Sequence, residues 1–193
     1  MRVEINKRNI KRLVLEELQR INFPSNTSRT NVNSTETKNL SFCMGDVNYR
    51  GQKFLQGRLR GPSKWNKKFP DLFLLVQRLI GLSHPNFEYT TIQINKNVLC
   101  KPHIDKNNVG PSYILALGDY EGGELNVEGK QFNIRNKWKK FNGLKAHWVE
   151  NFTGDRYSLI FFTHTFKPPN ASLRYLTITK QGIWNNEELV RRY

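Results

Sequence analysis

"NKNVLCKPHIDKNNVGPSYILALGDYEGGELNV", residues 95–127, sets β-branched and apolar residues between polar ones and breaks them with Asn, Asp and Gly. Short runs of this kind bounded by turn residues read as strands. The same texture extends outward from it. "FEYTTIQIN" (87–95) precedes it, and "KQFNIR" (130–135), "WKKFN" (138–142), "AHWVENF" (146–152) and "RYSLIFFTHTF" (156–166) follow, with "SLRYLTIT" (172–179) as a further candidate strand. No internal repeat is apparent.

The first half of the chain has a different period. Ile10, Leu13, Val14, Leu18 and Ile21 recur at helical spacing within 3–21, and Pro24 closes that stretch. Residues 25–39 are polar, rich in Asn, Ser and Thr, and read as a loop or linker. "LSFCMGDV" (40–47) reads as a strand. A second helix is expected over 70–81, with Leu72, Phe73, Val76, Leu79 and Ile80 as its core stripe and Pro70 and Asp71 in its first turn. Helices followed by a series of short strands predict an α+β fold with a β-sandwich or jelly-roll core and flanking helices. The expected organisation is an N-terminal helix and linker over 1–39 and a main domain over 40–193, one globular unit in all.

The chain has 193 residues, 37% of them hydrophobic and 12% aromatic, enough for one substantial core. No apolar run approaches the roughly 20 residues needed to span a bilayer, and the N-terminus lacks the apolar stretch of a signal peptide. An intracellular protein, cytoplasmic or nuclear and not secreted, is the expectation. Cys43 and Cys100 are too few for a disulfide framework or a structural zinc site and read as buried, reduced thiols.

Charge says more. Lys and Arg number 31 against 16 acids, a formal net charge of +15. Folding needs no such excess, and self-repulsion opposes compaction, so a polyanionic partner is implied, nucleic acid before an anionic membrane surface. Genome composition or solubility is the plainer explanation. The excess is densest between Arg50 and Lys68, where Arg50, Lys53, Arg58, Arg60, Lys64, Lys67 and Lys68 occur with no acid. Phe54 and Trp65 lie among them, and Gly51, Gly57, Gly61 and Pro62 predict a loop. Cations for phosphates and rings for an unstacked base are what a nucleic-acid groove requires, so these cations and Trp65 are the candidate contacts. A solvated surface loop is the alternative.

The chemistry centres on "HID". In an extended segment residues i and i+2 share a side, so His103 and Asp105 can reach a common point. His147 opens a later strand-like run and can supply a third ligand. Two imidazoles and a carboxylate on one face of an octahedron leave three positions open, the arrangement of non-haem ferrous oxygenases. Arg156 and Ser158 follow on one face of the next strand. A guanidinium there can grip the distal carboxylate of a metal-chelating 2-oxo diacid, with the hydroxyl adding a hydrogen bond. Each feature alone has an ordinary structural explanation; their order and spacing together are far more specific. His84, before Pro85, and His164, beyond Arg156, are the rival ligands and fit less well.

Residues 95–127 together with "AHWVENFTGDRYSLIFFTH" (146–164) resemble the 2-oxoglutarate/iron(II)-dependent dioxygenase superfamily over roughly residues 40–165. Within it they are most similar to the TET/JBP group, which hydroxylates the methyl group of thymine or 5-methylcytosine. The resemblance implies a double-stranded β-helix core, Fe(II), 2-oxoglutarate and O2 as cofactor and co-substrates, His103, Asp105 and His147 as metal ligands, and Arg156 and Ser158 on 2-oxoglutarate. Asn95 is carried over as a further polar residue on the co-substrate. The chain lacks the Cys-rich extension of larger group members. The expected partner is nucleic acid, DNA foremost, with no membrane and a monomeric chain. Two other readings stay open: a prolyl or lysyl protein hydroxylase using the same motifs, and a non-catalytic nucleic-acid-binding relic of the fold.

Overall fold

The computed structural model describes residues 5–26, 39–54 and 57–164, without the side chains of 48–54 and 57–60. Most of the expected linker and the strand expected at 172–179 lie outside the described residues. The chain divides into two compact units, whose described parts are 5–21 with 44–54 and 57–90, and 22–26 with 39–43 and 91–164.

In the first unit, α1 (Ile10–Arg20) buries Ile10, Leu13, Val14 and Leu18, the stripe its periodicity predicts. It is shorter than the expected 3–21. Asn6 and Asn9 hold the entry in a turn, the Asn6 carboxamide oxygen accepting from the backbone N–H of Arg8 and Asn9. Ile21 has already turned to extended backbone. The basic stretch is not the loop its glycines predict. The strand β1 (Leu40–Phe54) enters this unit at Met44 and pairs antiparallel with β2 (Gly57–Pro62), and Ser63 then caps the short helix α2 (Lys64–Lys68) by accepting from the Trp65 N–H. Glycine is tolerated there because β2 is an edge strand and its pairing with β1 shifts register between Asn48 and Lys53. The next helix, α3 (Pro70–Ser83), places Pro70 in its first turn, where a missing N–H costs nothing. It buries Leu72, Leu75, Val76, Leu79 and Ile80 and packs on α1. Leu75, not the expected Phe73, completes the stripe, because 72, 75, 76 and 79 lie on one side of a 3.6-residue turn.

The second unit is built of strands: β3 (Thr91–Lys96), β4 (Asn108–Gly122), β5 (Leu125–Val127), β6 (Lys130–Phe132), β7 (Lys139–Phe141), β8 (His147–Val149) and β9 (Phe152–His164). Here β3-β9-β4-β7 continue the sheet in which β1 neighbours β3, and a second sheet runs β6-β5-β8. Both contribute to one core cluster: Ile114, Ala116 and Tyr120 from β4, Leu125 from β5 and Phe141 from β7, with Ile134. Sheet-rich with helices segregated in the other unit, the protein matches the expected α+β class. Both cysteines are half-buried thiols outside any disulfide, less enclosed than expected.

Register decides which residues share a face. Ser158 on β9 stands opposite Asn95 on one side and Ala116 on the other, and Arg156 stands opposite Gly118. Because side chains alternate along a strand, Arg156 and Ser158 point one way, and Tyr157 and Leu159 into the other layer.

Candidate metal centre

His103 and His147 form an antiparallel bridge, the His103 N–H donating to the His147 carbonyl at 3.1 Å and the His147 N–H returning at 2.9 Å. Their ring centroids lie 4.3 Å apart. Each ring is fixed in the same way: Nδ1 of His103 donates to the Lys101 carbonyl at 2.6 Å, and Nδ1 of His147 to the Lys145 carbonyl at 2.8 Å. A carbonyl can only accept, so the protons sit on Nδ1 and the Nε2 lone pair of each ring is the one that can bind a metal.

Those two nitrogens face Asp105. Nε2 of His103 lies 3.9 Å from Oδ1 and Nε2 of His147 lies 3.7 Å from Oδ2. One ligand atom from each residue falls within 4.8 Å of the others. Metal bonds of about 2.1 Å place neighbouring ligands about 3 Å apart, so the set closes on a cation by a contraction of about 2 Å or less. The residue types and the fixed tautomers fit a divalent transition metal with open positions.

The segment carrying the aspartate is not the extended strand that the i, i+2 argument assumes. His103 is bridged, residues 106 and 107 form a turn, and Asp105 is held from outside its own segment. Its N–H donates to the Gly143 carbonyl at 2.8 Å. Buried Asn108 donates through Nδ2 to Oδ2 at 3.2 Å, and its N–H to the Asp105 carbonyl at 3.0 Å. Gly143 leaves the room this needs, since a Cβ there would stand 3.0 Å from Asn108 Nδ2 and 3.3 Å from Asp105 Oδ2. Asn108 and Gly143 escaped sequence reading because neither belongs to a ligand motif. Neither rival histidine belongs to the ligand group: His84 caps α3, and His164 packs on Phe162 at the end of β9. Burial lowers the pKa of His84, which favours its neutral form.

Arg156 is 1% exposed. Its Nε and Nη2 have no hydrogen-bond partner among the described residues, and it makes no ion pair among them. Burial pulls the guanidinium below its ordinary pKa, opposed by Tyr120, Cys100 and Glu124. Arginine stays charged even so, and a buried cation without an anion is costly, which makes this position suited to a carboxylate ligand. The Tyr120 and Phe152 rings lie 5.6 and 5.4 Å from the guanidinium carbon. Burial raises the Tyr120 phenol, with Arg156 opposing, so it stays neutral at ordinary pH. Gly123, at φ +69°, admits the arginine: a Cβ would meet Nε at 2.9 Å and Cδ at 3.0 Å. Cys100 ties this cradle to the metal ligands, its carbonyl accepting from the Val149 N–H two residues beyond His147. Asn95 donates to Ser158 Oγ at 3.0 Å and accepts from Gln93 Nε2 at 2.9 Å, a buried polar row beside Arg156 on the same face of the sheet. Tyr120 and Gly123 stand in the strand-like "GDYEGGELNV", where alternation alone gives no sign of a cradle.

Of the expected nucleic-acid contacts, the side chains of Arg50, Lys53, Arg58 and Arg60 lie outside the described residues. Lys64, Lys67 and Lys68 are exposed on α2. Trp65 stacks on Phe69 at 5.6 Å, and the Lys64 and Lys68 ammonium groups lie 4.8 and 5.0 Å from the indole centroid.

No protein-family model and no curated protein sequence matches the chain. Solved structures similar to it include an oxidoreductase of the 2OG-Fe(II) oxygenase family from Burkholderia pseudomallei, at 17% identity and TM-score 0.48 over 77% of this chain and 76% of that one. They also include OsALKBH1, at 13% identity and TM-score 0.46 over 81% and 92%. A Pseudomonas putida prolyl-4-hydroxylase aligns at 14% identity and TM-score 0.44 over 85% and 90%. No described helix is long and apolar enough to cross a membrane.

Proposed function

We propose that the chain is an Fe(II)- and 2-oxoglutarate-dependent dioxygenase that hydroxylates the methyl group of a nucleic-acid base, thymine or 5-methylcytosine. The observation that carries this reading is the pairing of His103, Asp105 and His147, both Nε2 atoms turned toward the carboxylate, with a buried arginine whose Nε and Nη2 lack hydrogen-bond partners among the described residues. Bound iron, with 2-oxoglutarate and O2, supplies oxidative decarboxylation to succinate coupled to insertion of one oxygen into a substrate C–H bond.

The chain's own residues have separate tasks. His103, Asp105 and His147 would hold the metal, which would supply the binding of the co-substrates. Arg156 takes the distal carboxylate of 2-oxoglutarate in a charge-assisted pair, and Ser158 and Asn95 add polar contacts. Tyr120 and Phe152 wall the guanidinium from water, which strengthens that pair. The reading carries with it a double-stranded β-helix core within residues 40–193.

The net charge of +15 supports a nucleic-acid substrate. A target base inside a duplex must be extruded into the pocket before its methyl group can reach the metal. The test is aerobic incubation with Fe(II), 2-oxoglutarate and ascorbate against DNAs of differing methylation, read by nucleoside mass spectrometry and succinate release. Hydroxymethylated nucleoside supports the reading. Succinate release stimulated by peptide and not by DNA replaces it with protein hydroxylation, and failure to bind metal leaves a non-catalytic binding module.

A further inference from the structure

Among the described residues three large hydrophobic side chains are exposed: Ile104 at 44%, Val109 at 48% and Leu144 at 49%. All three are chain neighbours of residues that build the metal centre. Ile104 separates His103 from Asp105. Val109 follows Asn108, which holds the Asp105 carboxylate, and Leu144 follows Gly143, whose carbonyl accepts from the Asp105 N–H. Two chain segments, 101–109 and 142–147, therefore meet at Asp105, and the three exposed residues are carried on them. Single exposed apolar residues are ordinary; their concentration at one functional centre is what marks a contact surface.

The charges on these segments are equally one-sided. Lys101 and Lys106 are exposed and make no ion pair among the described residues. Lys145 is exposed and paired with Glu128 at 2.7 Å. Apart from Asp105 itself the two segments carry no acid. Lys101 precedes Ile104 and Lys106 follows it, so cations flank the apolar residue on both sides along the chain.

We propose that this rim seats the substrate strand, with Ile104, Val109 and Leu144 packing against the base that enters the site and Lys101 and Lys106 meeting the phosphates on either side of it. The inference rests on the nucleic-acid reading above and adds where the strand is held. A nucleotide presents an apolar ring between two anions, the pattern of this rim. An acidic peptide shares the chemistry without requiring a cation on each side of the apolar entry.

The test is anisotropy of a labelled single-stranded oligodeoxynucleotide bound to the full chain across a salt titration, with Co(II) affinity measured alongside. Lys101→Gln with Lys106→Gln is expected to weaken binding five- to tenfold at low salt and flatten the log–log salt slope by about 1.4. Val109→Gln with Leu144→Gln, which spares the residue between the ligands, is expected to weaken binding several-fold at unchanged slope. Both variants should keep wild-type Co(II) affinity. Oligonucleotide binding that all four substitutions leave unchanged overturns the rim and leaves the proposed function standing. A wild-type chain that binds no oligonucleotide overturns both, and preferential displacement of the oligonucleotide by an acidic peptide reassigns the rim to a protein substrate.

Discussion

His103 and His147 face each other across an antiparallel bridge, exchanging both backbone hydrogen bonds, although β4 to β7 intervene in the chain. The backbone thus sets the spacing of the two rings, and the carbonyls of Lys101 and Lys145 set their orientation. Because the bridge uses only main-chain atoms, removing a ring should spare the fold. His103→Ala, Asp105→Ala and His147→Ala are each expected to reduce metal affinity more than the 10–100-fold typical of outer-shell changes, with melting of the metal-free chain little changed. Anaerobic Fe(II) or Co(II) titration with a parallel thermal melt checks this.

Asn108 and Gly143 position Asp105 without reaching the metal. Asn108→Ala removes the Nδ2 donor to Oδ2, and Gly143→Ala forces a Cβ against both side chains. Each is expected to lower metal affinity by about 10–100-fold. Affinities equal to wild type, measured by the same titration, count against the clamp.

Arg156 separates stability from binding. Arg156→Met removes a buried cation that has no ion-pair partner among the described residues, and is expected to stabilise the ligand-free protein by about 1 kcal/mol or more. The same change should abolish stabilisation by 2-oxoglutarate, which at 100 times Kd amounts to about 2.7 kcal/mol in the wild type. Gly123→Ala should raise the 2-oxoglutarate Kd roughly tenfold and leave metal affinity alone, since the added Cβ meets Arg156 and Phe152 and none of the metal ligands. Melting curves with and without 2-oxoglutarate distinguish these outcomes.

Glu150 links the β5–β8 pair to pH. Its carboxylate accepts from Asn126 Nδ2 at 2.8 Å and Trp148 Nε1 at 3.0 Å. The Asn126 hydrogen bond, more than any other contact, holds its pKa below the ordinary 4.5. A depressed folded pKa contributes stability that is complete above the unfolded value and lost as pH falls through the folded one. The stability difference between wild type and Glu150→Gln should therefore be flat above about pH 5.5 and shrink below pH 4.5. Denaturant melts across pH 3–7 read it.

For α2, Lys64→Glu with Lys68→Glu is expected to weaken DNA binding and flatten its salt dependence, as is Arg58→Glu with Arg60→Glu in β2. Unchanged binding across a salt titration removes the basic stretch from the interface.

Sequence alone determined the element types and the ligand candidates, because both are written locally. Period-3.6 stripes give α1 and α3, period-2 runs give β3 to β9, and the rarity of "HID" and Arg-x-Ser in one order marks the chemistry. Glycines in the basic stretch misled, since the ribbon of β1 and β2 is set by pairing and not by local preference. Convergence was decided only by tertiary structure. The bridge of His103 to His147, the hold of Asn108 and Gly143 on Asp105, and the space Gly123 leaves for Arg156 all join residues from separate elements. Contacts of that kind depend on strand register and loop closure, which no window of sequence encodes, because a one-residue slip would send every side chain to the opposite face.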